Sequence, residues 1–126
     1  MSTILSELAQ LAVALTSIPL QRQTNMLDTQ IEQAITQPQI QEALDILQEE
    51  AAEVIQAVSK IRRFGALNHK DGESQTNLEH LEEELGDMQA MIEILMELNI
   101  VSWGNVTVAK RAKIEKLKKW SNIYSK

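Results

Sequence analysis

At 126 residues the chain is about one domain long, with 3% aromatic residues and no cysteine; this excludes disulfide scaffolds and thiolate metal sites, so any metal must be held by oxygen or by one of the two histidines. The net charge of −6 is unevenly spread: residues 110–126 hold seven Lys/Arg against one Glu, whereas residues 1–109 hold five against seventeen acids. A basic tail often binds nucleic acid, but an acidic body repels a polyanion, so a compact phosphate ligand bridged by cations fits the balance at least as well.

Ala, Leu, Ile, Gln, Glu and Lys dominate, and Gly and Pro are scarce, which predicts an all-α protein. The opening "MSTILSELAQLAVALTS" has no basic n-region, carries Glu7 and is too short to span a bilayer, so a soluble, cytoplasmic protein is expected. Residues 3–16 form a predicted amphipathic helix, with Ile4, Leu5, Leu8, Leu11, Ala12 and Leu15 on one side, serving packing or dimerisation. The Gln- and Thr-rich stretch 20–37 accommodates a short helix over 28–35. Pro38 suits the first turn of a helix that keeps its periodicity up to the stop at Gly65.

"GALNHKDGES" reads as a mobile polar loop. Thr76 and Glu79 make a capping box, which starts a second long helix running to about Leu98. After the turn "NIVSWGN", "VTVAKRAKIEKLKKW" forms a basic last helix. The expected architecture is one domain over 1–126, a bundle of four or five helices with a packing segment (1–37) and a core (38–119).

At about 100° per residue, Glu50 and Glu53 fall at the border of the stripe formed by Leu47, Ala51, Val54, Val58 and Ile61. Glu84 and Asp87 bear the same relation to Leu81, Leu85, Met88, Ile92 and Leu95. If the two helices are neighbours, four carboxylates converge on one small volume and repel one another unless a cation neutralises them. Oxygen ligands of this kind suit Mg²⁺ or Mn²⁺. Acids at i and i+3 are also common on solvated helix faces, so one such pair would say little; two, each beside a core stripe, point to a site. A di-iron carboxylate bundle needs Glu-x-x-His on two helices, but Asn77 precedes His80 and Ala66 precedes His69 at that spacing.

"EEAAE" at 49–53 followed by "ELGD" at 84–87 resembles the EExxE and ExxD motifs of the MazG-like all-α nucleoside triphosphate pyrophosphohydrolases. The similarity covers about residues 40–119. "EVIQAVSKIRRFG" and "KIEKLKKW" look like the short, stand-alone members found in phages, one branch of which converts dGTP to dGMP; the expected location is then the host cytoplasm. The resemblance implies a MazG-like bundle, and apolar stripes that exceed what four helices of one small subunit bury imply a symmetric oligomer, a homodimer or homotetramer. The resemblance also implies hydrolysis of an NTP or dNTP to the monophosphate and pyrophosphate with Mg²⁺ or Mn²⁺. By motif position Glu50, Glu53, Glu84 and Asp87 would be metal ligands, and Glu49 would orient or deprotonate the attacking water. The aromatic-rich base pocket of the pyrimidine-specific members is missing near the N-terminus, which favours a purine such as dGTP.

Cationic side chains should complete such a site. Lys60 lies near the Glu49 and Glu53 meridian two turns onward, Arg63 follows at i+3, and Lys110 and Lys113 are the best placed on the last helix. Lys and Arg near a helix C-terminus also complement its dipole, and that alone accounts for many of them. Two other readings compete: a helical adaptor without chemistry, and a nucleic-acid-binding module using the Lys-rich last helix.

Overall fold

The computed structural model describes residues 20–124, which contain four α-helices and no strand. They are α1 (Leu20–Ile35), α2 (Pro38–Phe64), α3 (Asn77–Glu97) and α4 (Trp103–Trp120). The helix expected over 3–16 lies outside the described residues. The chain divides into two units between Gln37 and Pro38. In the first, α1 begins eight residues before the short helix expected over 28–35. Leu, Gln, Arg and Met in "LQRQTNML" are good helix formers, and they outweigh the Thr and Asn that argued for a loop.

In the second unit, α2 opens on Pro38, whose missing N–H has no partner to lose in a first helical turn. It closes at Gly65, where φ is +92° and the backbone N–H donates to the Ile61 carbonyl at 2.8 Å. A Cβ would strain that conformation. The following segment is pinned to the start of α3. Asn77 N–H donates to the Asn68 carbonyl at 2.8 Å, Leu78 N–H to the Ala66 carbonyl at 2.9 Å, and Asn77 Nδ2 to the Gly65 carbonyl at 2.9 Å. An isolated antiparallel bridge joins His69 and Thr76. The polar loop expected here is thus a hydrogen-bonded connection that ties the segment after α2 to the start of α3.

The capping box forms: Thr76 Oγ1 accepts from Glu79 N–H at 3.1 Å, and the Glu79 carboxylate returns to Thr76. α3 ends in a Schellman arrangement. Asn99, at φ +59°, donates to the Met96 carbonyl and Ile100 to the Leu95 carbonyl, each at 3.0 Å. Asn is the non-glycine residue most at ease there, because its short amide tolerates the left-handed region.

Within residues 38–124, α2 and α3 are the pair of helices in extensive contact, and they run antiparallel. Their shared seam alternates steps of three and four. On α2 it comprises Ile40, Ala43, Leu47, Glu50, Val54, Ala57 and Ile61; on α3 it comprises Leu81, Glu84, Met88, Met91, Leu95 and Leu98. Each of these is buried or half-buried. This is the 3.5-residue spacing of a coiled-coil contact. Ala43, Met91 and Leu95 form its apolar core, and Leu44, Ile46, Leu47, Leu98, Ile100 and Val101 pack around them. Ala43 and Ala57 are the small residues of this seam, and both are buried.

The wheel expectation needs one correction. Val58 and Leu85, assigned to the core stripes, are 41% and 47% exposed, whereas Ala57 is fully buried. The real seam is rotated toward Glu50 and Glu84, which stand in it and not at its edge. α4 is capped by Ser102, whose Oγ accepts from Asn105 N–H at 3.2 Å. It contributes no buried residue.

Leu95 is 2% exposed at the centre of the apolar cluster. Leu95→Ala is expected to destabilise the protein by about 2–5 kcal/mol, while exposed Glu93→Ala stays within about 0.5 kcal/mol. Urea denaturation of the two variants compares them directly.

Candidate metal centre

The seam that packs Met91 against Ala43 places carboxylates against carboxylates two turns further along. Glu50 on α2 meets Glu84 and Asp87 on α3, and one carboxylate oxygen from each lies within 4.8 Å of the others. A second group, Glu53, His80 and Glu84, satisfies the same limit. Glu84 belongs to both groups and is 8% exposed, whereas Glu50 and His80 are half-buried and Glu53 and Asp87 are exposed. Exposed acids often crowd a surface without binding anything. A largely buried carboxylate beside another at a helix seam is a different matter, because burial penalises charge and like charges repel.

Electrostatics agree with that geometry. The Glu50 carboxyl is pushed above the usual carboxylate range, first by its removal from water, then by the charges of Asp87 and Glu84, a hydrogen bond with Glu84, and Glu53. His80 Nε2 lies 3.1 Å from Glu84 Oε1, one turn along the same helix. A proton at Glu50 relieves the repulsion partly, and a multivalent cation would relieve it more fully. The donor chemistry fits a cation: the first group is all oxygen, and the second adds one imidazole nitrogen.

A cavity of about 600 Å³ adjoins the second group and shares His80 with it. Lys60 and Phe64 from the end of α2, and Asn68, His69 and Lys70 from the connection, line it as well. No helix among the described residues is long and apolar enough to cross a membrane.

Of the four expected ligands, Glu50, Glu84 and Asp87 fall in one group, whereas Glu53 falls in the other and meets them only through the shared Glu84. The other expected site residues are more dispersed. Glu49 is exposed and belongs to neither group. Lys60 reaches the cavity, but Arg63 stands over the Phe64 ring at 5.2 Å. Lys110 and Lys113 are exposed on α4. His80 was missing from the expected set because it was weighed only as the end of a Glu-x-x-His motif. Its signal was the i,i+4 spacing to Glu84, which puts both side chains on one face. Compared with protein-family models, curated proteins and solved structures, the chain finds no match in any of the three.

Because the folded-state pKa of Glu50 is raised, the folded protein holds that proton more tightly than the unfolded chain does. This group favours the metal-free fold below pH 4.5, and the contribution is lost as pH rises through the raised value. Glu50→Gln should therefore be more stable than the wild type at pH 7 in chelator, and the difference should vanish below pH 4.5. Urea melts across that range measure it; a difference independent of pH would contradict the assignment.

Proposed function

We propose that the protein is a metal-dependent nucleoside triphosphate pyrophosphohydrolase, releasing a nucleoside monophosphate and pyrophosphate from an NTP or dNTP, with a purine deoxynucleotide such as dGTP as the favoured substrate. The observation that carries this reading is the pair of donor groups sharing buried Glu84, whose carboxylates come from the two motifs that resemble the MazG-like superfamily and which border a cavity with a lysine in its wall. Mg²⁺ or Mn²⁺ is the proposed cofactor.

When bound, such a cation supplies Lewis-acid stabilisation of phosphate oxygens and a lowered pKa for nearby water. The chain's own residues do the rest. Glu50, Glu84 and Asp87 would hold a cation at the seam, with Glu53 in the adjoining group that shares Glu84. Glu49, beside them on an exposed face of α2, orients the attacking water. Lys60 meets phosphate oxygens from the cavity wall, where its ammonium offsets charge on the leaving pyrophosphate.

We further propose a homodimer or homotetramer that completes the bundle. Ile55, Val58, Leu85 and Trp103 are exposed, and α4 buries none of its residues, so a second copy would cover apolar surface that one chain leaves open. α4 would then bring Lys110 and Lys113, with Arg63 from α2, toward the phosphate end of the site.

A panel of NTPs and dNTPs with Mg²⁺ or Mn²⁺, resolved for monophosphate plus pyrophosphate against diphosphate plus phosphate, tests the reaction. Glu84→Gln should lower turnover roughly a hundredfold or more, several kcal/mol of transition-state stabilisation, while the helical circular dichroism persists. Lys60→Ala should act mainly on KM. Absence of hydrolysis across the panel would overturn the enzymatic reading.

A further inference from the structure

His80 is the one nitrogen donor among the residues of the two groups, and its surroundings differ from those of an ordinary surface histidine. Its Nε2 faces Glu84 on its own helix at 3.1 Å. An oxygen of Glu53, from the opposite helix, comes within 4.8 Å of the same pair. An imidazole that only steadied Glu84 would need that single partner. Here carboxylates from both helices converge on it, and its remaining surroundings open onto the cavity that also contains Lys60.

We propose that His80 is a direct metal ligand which, with Glu53 and Glu84, forms a cation position selective for a transition-metal dication such as Mn²⁺ over Mg²⁺. This rests on the reading of the seam as a metal centre and adds a division of labour within it. The Glu50, Glu84 and Asp87 group offers oxygen alone and suits a hard cation of either kind. Replacing one carboxylate by imidazole removes a negative charge and introduces a borderline-soft nitrogen, which Mg²⁺ disfavours relative to first-row transition metals. Through His80 that second position borders the cavity, which has room for water or phosphate oxygen and carries Lys60 in its wall to balance added negative charge.

Mn²⁺ titration of the full chain, followed by electron paramagnetic resonance and electron spin-echo modulation, tests this without reference to activity. In the wild type, bound Mn²⁺ should show directly coordinated ¹⁴N. His80→Gln keeps an amide able to donate to Glu84 but offers no imidazole; it should lose the nitrogen coupling and weaken Mn²⁺ binding at that position about tenfold or more. Mg²⁺ binding, read by competition, should be unchanged.

Mn²⁺ bound to the wild type without nitrogen coupling would overturn the role of His80 while leaving the seam a metal centre. A His80→Gln chain with wild-type Mn²⁺ affinity and selectivity would overturn it equally. A wild type that binds no Mn²⁺ would overturn both this inference and the metal-dependent function. If the His80→Gln variant fails to fold, a His69→Gln chain that keeps the nitrogen coupling assigns it to His80, and one that loses it overturns the assignment.

Discussion

Glu50 and Glu84 face each other across the contact of α2 and α3, where the rest of the seam presents Ala, Leu, Ile, Val and Met. Two carboxylates in such a place oppose the packing that brings them together. Removal from water and the neighbouring acids raise the pKa of the Glu50 carboxyl above its ordinary value. A divalent cation would turn the same repulsion into attraction, linking the stability of the helix pair to whatever the site binds.

The surrounding structure keeps the two acids from escaping one another. Gly65 stops α2, the hydrogen bonds from Asn77 and Leu78 tie the start of α3 back to the connection, and the Thr76 box sets the first turn. At the other end, Asn99 and the Ile100-to-Leu95 hydrogen bond hold the end of α3 beside the cluster of Ala43, Met91 and Leu95. With both ends fixed and Ala43 and Ala57 buried in the seam, neither helix can rotate its acids into solvent without breaking an apolar contact. Preorganisation of this kind lets a small set of ligands bind a cation without paying for reordering at the moment of binding.

Local signals in the sequence carried much of this. Pro38, Gly65 and the Thr76–Glu79 pair sit where the helices begin and end because each acts through its own backbone geometry. The four acids could be paired from wheel position, since i and i+3 residues share a face in any α-helix. Rotation of the seam was harder to read. Val58 and Leu85 are as apolar as core residues, and only contact with the partner helix reveals that Ala57 and Glu84 occupy the interior instead. For His80 the i,i+4 spacing to Glu84 was legible within α3, but the approach of Glu53 from the other helix was not, because it depends on how the two helices pack.

The most direct measurement is anomalous diffraction from a crystal grown with Mn²⁺. The account predicts a peak between α2 and α3 at the seam, with carboxylate oxygens of Glu50, Glu84 and Asp87 around it. Strong Mn²⁺ peaks elsewhere with none at this position, or Glu50 and Glu84 turned to opposite faces of the helix pair, would contradict it.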